Sequence, residues 1–302
     1  ALESRVEIRQ ASSATELIGW INDVLTRRPD SPRSQLAVLL RHPSAATELE
    51  HGLRRLAIRY QSVGFTSYLE RPEVLFVRLL FAVAVRLPDQ FRSALLAPAK
   101  RAAWAFIGGV MLDADEAQTA QVVEQASQAN FVEFVLPALL RQTPQQAASQ
   151  RVQQAMRLAA SDRIEDLPRA IAALDIRQLA RRVLVQAEAV EDSELSLQGL
   201  VRASQSYASI SEFLRSLLAH DYDAHAEKWA GERIVLSSIE AAKGLEFEHV
   251  IIPDLNRTDF DGDRADERNL FYVAASRAKR QLTLVHRPGE VSSSYLRHFV
   301  LS

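Results

Sequence analysis

The chain has 302 residues, of which 47% are hydrophobic and 25% are charged, and its formal net charge is −2. This composition is typical of a folded globular protein and excludes bulk disorder. The chain contains no cysteine, which excludes a disulfide-stapled module, thiolate zinc sites and cysteine nucleophiles. The sequence shows no apolar run near the roughly 20 residues of a membrane span and no secretory signal pattern, so we expect a cytoplasmic protein without a membrane partner.

Residues 1–86 alternate between strand and helix patterns. The patterns predict strands at Val6–Ile8, Gln35–Leu40 and Ile58–Val63. They predict helices at Leu17–Leu25, behind a Ser13-x-x-Glu16 capping box, at Ala45–Leu56 and at Val74–Val85. Strands separated by helices indicate a parallel sheet with crossover connections.

From Leu87 to about residue 230 the pattern is helical, with Pro137, Pro144 and Pro168 between the predicted helices. This segment contains 14 Lys and Arg residues against 18 Asp and Glu residues, so it is the acidic part of the chain. We predict that it forms a separate all-helical domain.

After Gly231 the strand patterns return, with strands predicted at Arg233–Ile239, His249–Leu255 and Gln281–His286. A helix is predicted at Ala265–Lys279, with Asp263 as its N-cap. Both ends of the chain therefore carry α/β patterns. We expect one α/β domain, residues 1–86 and 231–302, interrupted by an all-helical inserted domain at 87–230.

The phosphate-binding string G-x-x-x-x-G-K-[ST] does not occur in the sequence. A strand pattern ending in paired carboxylates, as in a Walker B motif, is also missing. We therefore do not expect this chain alone to bind and hydrolyse ATP in the P-loop manner.

One segment near the C-terminus, SIEAAKGLEF from Ser238 to Phe247, lies between two predicted strands. Gly244 permits a close backbone approach to a ligand. Lys243 supplies a cation, and Glu246 can accept a hydrogen bond from a sugar hydroxyl. From the spacing alone, an ordinary surface loop explains this segment at least as well.

A second segment, DERNLFYVAASRAK, runs from Asp266 to Lys279. On a helix, Leu270, Val273 and Arg277 share one face, so a guanidinium group would emerge beside an apolar stripe. From periodicity alone, an arginine with its stem packed along the sheet is the more ordinary explanation.

These two segments resemble motifs V and VI of the UvrD/Rep-like superfamily-one helicases, whose strings run roughly T-x-H-x-A-K-G-L-E-F and E-E-R-R-L-x-Y-V-x-x-T-R-A-K. The segment Leu36–Leu53 (LAVLLRHPSAATELEHGL) resembles motif IV, and GFTSYLERPEV resembles the stretch that follows it. The three motifs occur in the family's order and frame the whole chain. The middle segment matches only in its position and helical character.

The resemblance implies a RecA-like parallel sheet flanked by helices, the second motor domain of an ATP-dependent DNA helicase, interrupted by a helical accessory domain. The first motor domain, which carries the P-loop and the Mg²⁺ carboxylates, is absent from this chain. We therefore expect ATP with Mg²⁺ in the complete enzyme and no cofactor on this chain alone. The expected partners are single-stranded or partly duplex DNA, an N-terminal P-loop motor domain and a protein that contacts the helical insertion.

The resemblance also assigns residues by position. Arg41 and Arg277 match the motif IV and motif VI arginines that reach the γ-phosphate across the domain cleft. We expect their guanidinium groups to converge on a single rim. Tyr272 matches a motif VI tyrosine for which packing is the expected role.

Further positions match the nucleotide and DNA contacts of motif V. Gly244, Glu246 and Lys243 match its nucleotide-binding part, and Ser238 and Glu240 its DNA-facing part; no metal ligand is assigned. Glu240 stands where the family usually has a histidine, which places a carboxylate near a surface expected to meet phosphates. Asn269 and Ser276 replace an arginine and a threonine of motif VI.

Two other classes of function stay open. One is a non-catalytic protein- or DNA-interaction module derived from a helicase. The other is a free-standing small-molecule enzyme with a site at the edge of the sheet, although the sequence suggests no nucleophile–base pair for it.

Overall fold

The computed structural model describes residues 5–27, 32–88, 147–183, 187–218, 232–260 and 264–296. Within these residues, one sheet contains the strands β1 (Arg5–Gln10), β2 (Leu36–Leu40), β3 (Tyr60–Val63), β4 (Ile234–Ser238), β5 (Phe247–Ile252) and β6 (Ala278–His286). The strand order is β1-β6-β5-β2-β4-β3, and every pairing is parallel. Strands from the two ends of the chain are interleaved in this sheet: β2, from the N-terminal part, lies between β5 and β4, from the C-terminal part.

The helices of the described residues are α1 (Ala14–Arg27), α2 (Thr47–Arg55), α3 (Pro72–Ala84), α4 (Ala147–Ala159), α5 (Leu167–Leu174), α6 (Ile176–Val183), α7 (Ala187–Ser204), α8 (Ile210–Leu218) and α9 (Ala265–Ala275). The prediction of an α/β fold with a parallel sheet flanked by helices is confirmed, and the arrangement is consistent with a RecA-like fold.

Strand β2 is buried along its whole length. Leu36, Val38 and Leu40 pack in a cluster with apolar residues of α1 and α2. Ala37 and Leu39 pack in a second cluster with apolar residues of α9. Because helices cover both faces, this strand is a continuous apolar run and not an alternating one.

The chain divides into two compact units. The first, residues 1–67 and 222–302, contains the sheet with α1, α2 and α9. The second, Tyr68–Asp221, contains α3 to α8, and its core includes Phe76, Phe81 and Phe213. Helix α3 lies in this second unit, whereas the sequence places the domain boundary after it, at residue 86. Pro137, Pro144 and most of the predicted inserted domain before residue 147 lie outside the described residues.

The predicted capping box at the start of α1 is present in part. The Oγ of Ser13 accepts a hydrogen bond from the Glu16 amide at 3.4 Å, which satisfies an amide that the helix itself leaves without a partner. The Glu16 carboxylate accepts a hydrogen bond at 2.6 Å from the amide of Ser12, the residue before the N-cap, and not from that of Ser13.

Helix α9 ends at Ala275, earlier than the predicted end at Lys279, because β6 begins its parallel pairing at Ala278. Arg277 therefore lies in the turn after the helix, where its amide donates to the Ala274 carbonyl at 3.2 Å. The prediction that Arg277 lies on a helical face is wrong. Asp263, the predicted N-cap, lies outside the described residues. In the structure the N-cap residue is Arg264, which makes no side-chain capping bond.

Substituting Leu39→Ala should lower the free energy of unfolding by about 2–5 kcal/mol, because the side chain is fully buried in the central strand. The matched control is Leu56→Ala at an exposed leucine after α2, which we expect to change stability by less than about 0.5 kcal/mol. Urea denaturation followed by circular dichroism measures both. Equal losses for the two variants would contradict a core centred on β2.

Candidate functional site

The first group of candidate residues lies where β2 ends. Arg41 directly follows this strand, and its guanidinium donates from Nε to one oxygen of the Glu267 carboxylate at 3.0 Å and from Nη2 to the other at 2.8 Å. Glu267 lies in the first turn of α9, and its side chain is only 7% exposed. This bidentate geometry is the strongest form of arginine–carboxylate pairing, so it fixes Arg41 against the start of α9.

A second carboxylate lies near the same guanidinium. The Nη1 of Arg41 is 3.8 Å from an oxygen of Glu240, which is too long for a hydrogen bond. The hydrogen bond to Glu267 is the main cause that raises the pKa of Arg41 above its ordinary value, and the negative charge of Glu240 adds to it. Arg41 is thus a permanent cation held between a buried and an exposed carboxylate.

The turn after β4 lies beside this group. The Oγ of Ser238 accepts a hydrogen bond from the Ala241 amide at 3.2 Å, and the Ile239 amide donates to the Leu40 carbonyl at 3.2 Å. Gly64 packs directly against this turn at a φ of +77°, and a Cβ there would collide with the Ala241 side chain. A side chain at residue 64 would displace the Ser238 turn, so this position requires glycine. The sequence alone shows only that a glycine ends the strand.

The segment from Ile239 to Glu246 joins the carboxyl end of β4 to the amino end of β5. Gly244 has a φ of +85°, a conformation that favours glycine, and no atom crowds the space where its side chain would lie. Lys243 is exposed and forms no ion pair with any described residue. The Glu246 carboxylate lies 3.3 Å from the Lys279 ammonium group, and both side chains are about half exposed. An exposed pair of this kind is weak enough for a ligand to replace.

Arg277 lies beside the end of this segment. Its guanidinium donates at 3.0 Å from Nε to the Val273 carbonyl, from Nη1 to the Leu245 carbonyl and from Nη2 to the Ser276 hydroxyl. All three acceptors are neutral, and Arg277 forms no ion pair within the described part of the chain. The side chain is therefore held in place while its charge stays uncompensated.

The structure does not bring Arg41 and Arg277 together. In the β2–β5 register Val38 lies beside Ile251, so Arg41 lies beyond the carboxyl ends of these strands. At the other end of the sheet, the Arg277 carbonyl accepts the Phe247 amide where β5 begins. About six residues of strand separate the two arginines, roughly 20 Å. Because all strands run in the same direction, a residue that follows β2 and a residue that precedes β6 lie at opposite ends of the sheet. The expectation that the two guanidinium groups converge on one rim is therefore contradicted.

Two large apolar side chains are exposed near Arg277. Tyr272 is 74% exposed and Leu245 is 42% exposed. Tyr272 directly precedes Val273, whose carbonyl Arg277 contacts, and Leu245 supplies a second carbonyl to the same guanidinium. Tyr272 therefore does not pack against the described part of this chain. Exposed large apolar residues close to a fixed charge are typical of a surface that a partner covers.

Among the described residues, no three His, Asp or Glu side chains are grouped closely enough to hold a metal ion. No helix there has the length and apolar character needed to cross a membrane.

The chain is similar in sequence to known proteins, and the similarity to a family covers residues 117–287. A sequence model of the family described as UvrD-like helicase C-terminal domain matches residues 117–287, more than half of the chain. The matched range includes Ser238, Glu246 and Arg277, and it begins after Arg41. A probable DNA helicase II homolog from Mycoplasma genitalium is 43% identical over 84 residues, which cover 24% of this chain and 12% of that relative. The match thus spans about an eighth of the relative's length.

Glu267→Gln should lower the free energy of unfolding by about 1–3 kcal/mol, because it leaves the Arg41 guanidinium without its buried anionic partner. Glu240→Gln is the matched control, since Glu240 is 55% exposed and makes no hydrogen bond to Arg41. We expect it to change stability by less than about 0.5 kcal/mol. Chemical denaturation of both variants measures the difference, and equal effects would show that the bidentate pair does not fix α9.

Proposed function

The chain belongs to the UvrD-like helicase C-terminal domain family, and from this premise we propose that it supplies the second motor domain of an ATP-dependent DNA helicase or translocase. A P-loop motor domain that this sequence does not contain would deliver ATP, with Mg²⁺ bound by that domain. The unit built on the sheet would complete the cleft around the nucleotide, and the helical unit would act as an accessory domain.

The observation that carries this proposal is that the Arg277 guanidinium is held in place by neutral acceptors only. A guanidinium group has five N–H donors, and three of those of Arg277 are used on neutral oxygens. The remaining two can meet the oxygens of a γ-phosphate. Because these contacts fix the side chain before the phosphate arrives, little reorganisation is needed when negative charge develops on the transferring group.

The neighbouring residues fit the rest of a nucleotide. Glu246 would leave its exposed pair with Lys279 and accept a hydrogen bond from a ribose hydroxyl. Gly244 lets the backbone of the loop approach the nucleotide, and Lys243 adds a cation at the same loop. Tyr272 and Leu245 would pack against the P-loop domain when the cleft closes. In this proposal ATP lies at the amino end of the sheet, with Arg277 as its arginine finger.

Single-stranded DNA is assigned to the other end of the sheet, at the turn that contains Ser238 and Glu240. ATP binding would close the two motor domains and hydrolysis would reopen them, which moves the strand. The helical segment is acidic, so a large footprint on DNA phosphates is disfavoured there. We propose a protein partner for that unit.

The alternative is a non-catalytic interaction module that binds DNA or protein without turnover. The two functions differ in whether ATP hydrolysis returns when the missing domain is supplied.

Mixing this chain with the P-loop motor domain of a matching helicase should restore DNA-stimulated ATP hydrolysis. Arg277→Ala should then lower kcat by about 10³-fold or more, because an arginine finger is worth about 10³–10⁵ in rate. The control is Arg280→Ala, an exposed arginine near the same end of the sheet that pairs with Glu248, and we expect it to change kcat less than twofold. Activity that survives Arg277→Ala would remove the finger assignment, and a mixture that never hydrolyses ATP would favour the non-catalytic alternative.

The chain alone should bind ATP only weakly, with a Kd above about 1 mM, because one wall of the cleft cannot supply the binding energy of a complete nucleotide site. Isothermal titration calorimetry with and without Mg²⁺ measures this affinity. Micromolar, Mg²⁺-dependent binding would contradict the assignment of the P-loop and the metal to another domain.

A further inference from the structure

A polar cleft of about 260 Å³ lies between helix α1 and the edge of the sheet, within the first unit. Residues of β1, β6 and β5 line one side of this cleft, and residues of α1 line the other. On β1, Arg5, Glu7 and Arg9 all face the cleft, whereas Ile8 packs with the apolar cluster on the opposite face of the sheet. A face of a parallel sheet that a helix covers is normally apolar. Three charged residues there indicate a role other than packing.

The floor of the cleft is polar and buried. His249 and Thr283 are only 3% and 4% exposed, and the Nε2 of His249 lies 2.9 Å from the Thr283 hydroxyl. In the strand register Gln281 lies beside both Arg5 and His249, so these three residues form one row across three strands. Pockets for drug-sized ligands measure about 300–1,000 Å³, so a cleft of about 260 Å³ suits a smaller molecule.

The inner side chains of the cleft are held in place by one another. Glu7 and Arg9 form an ion pair at 2.7 Å, and the other carboxylate oxygen of Glu7 accepts a hydrogen bond from Gln281 at 3.3 Å. The Arg9 guanidinium also lies 5.1 Å from the centre of the Trp20 ring on α1, a cation–π contact. The cleft is therefore preformed, and little conformational freedom is lost when a ligand enters it.

The mouth of the cleft carries charges that the described residues leave uncompensated. Arg5 begins β1, and Arg27 ends the helix that follows β1 and precedes β2, so both lie at the amino end of the sheet. Asp23 lies one turn before Arg27 on the same helix. All three side chains are exposed, and none of them forms an ion pair or hydrogen bond with a described residue. Two guanidinium groups and one carboxylate are thus available to a ligand.

We propose that this cleft binds a small sugar phosphate, with the phosphate held by Arg5 and Arg27. A carboxylate ligand has only two oxygens and can be taken up by one arginine, whereas the three terminal oxygens of a phosphate monoester can meet both. Asp23 accepts hydrogen bonds from the sugar hydroxyls, and the Trp20 ring offers an apolar surface to the C–H groups of the sugar. The cleft is separate from the proposed nucleotide site, because α1 and α9 pack against opposite faces of the sheet.

Isothermal titration calorimetry of the full chain with ribose 5-phosphate tests the proposal. We expect a Kd below about 1 mM, and binding at least about tenfold weaker for inorganic phosphate and for ribose, because each offers only part of the contacts. Adenosine monophosphate should also bind more weakly, since its base adds a bulky group to the same sugar phosphate. No binding at about 10 mM ribose 5-phosphate would overturn the proposal. Equal or tighter binding of inorganic phosphate or adenosine monophosphate would overturn the assignment of the ligand as a small sugar phosphate.

Substitutions at the mouth separate the phosphate contact from the sugar contact. Arg5→Gln and Arg27→Gln should each weaken ribose 5-phosphate binding about tenfold, because each removes a charged hydrogen-bond donor. Asp23→Ala removes the acceptor for the hydroxyls and also a negative charge that repels phosphate. The ratio of the affinity for ribose 5-phosphate to that for inorganic phosphate should therefore fall about 3- to 10-fold in this variant. An unchanged ratio contradicts the placement of the sugar.

The matched control is Arg181→Gln at an exposed arginine of α6 in the helical unit. It removes the same charge as Arg5→Gln, and we expect less than about a twofold change in ribose 5-phosphate affinity. Equal losses in the two variants would show a general charge effect and overturn the proposal. Circular dichroism confirms that each variant is folded, and the replaced side chains are all exposed.

A further comparison distinguishes the cleft from the proposed nucleotide site. Binding of ribose 5-phosphate should not depend on Mg²⁺ and should survive Arg277→Ala, because that arginine does not line the cleft. If Arg277→Ala abolishes the binding, the ligand lies in the nucleotide site and the proposal fails. The proposed function is decided separately, by the Arg277-dependent hydrolysis of ATP in the mixture with a P-loop domain.

Discussion

The parallel pairing of β2 with β4 on one side and with β5 on the other holds the two ends of the chain in a single sheet. Residues that are about 200 positions apart in the sequence thereby become neighbours. The same pairing also keeps groups apart, because parallel strands begin at one end of the sheet and finish at the other. Segments that follow a strand therefore form one surface, at the carboxyl end of the sheet, and segments that precede a strand form another, at the amino end. Arg41, Ser238 and Glu240 lie at the carboxyl end, and Glu246 and Arg277 lie at the amino end.

The two groups differ in how the positive charge of the arginine in each is compensated. At the carboxyl end, Arg41 is bound by Glu267 and approached by Glu240. At the amino end, Arg277 is held by two carbonyls and a hydroxyl and keeps its full charge. A charge that is fixed but not neutralised can stabilise a developing anion, whereas a charge already paired binds further anions weakly. This contrast supports different ligands for the two ends of the sheet.

Much of the sheet could be predicted from the sequence, because a run such as LAVLL is long enough for a strand and apolar on both faces. The end of α9 could not, since the helical spacing of Leu270, Val273 and Arg277 continues past the point where β6 begins to pair. The partnership of Arg41 and Glu267 joins residues 226 positions apart, and no local spacing encodes it. Helix α3 is apolar on nearly all sides, so its pattern does not reveal that it is buried in the helical unit. The motif strings identified the candidate residues, but their relative placement depends on strand direction.

The account depends most on the claim that nucleotide and DNA occupy opposite ends of one sheet. A crystal structure of this chain assembled with a P-loop motor domain, a non-hydrolysable ATP analogue and single-stranded DNA tests that claim most directly. The account predicts the γ-phosphate within hydrogen-bonding distance of Arg277 and a DNA phosphate beside the Ser238 turn. A γ-phosphate bound by Arg41, with Arg277 turned to solvent, would contradict it.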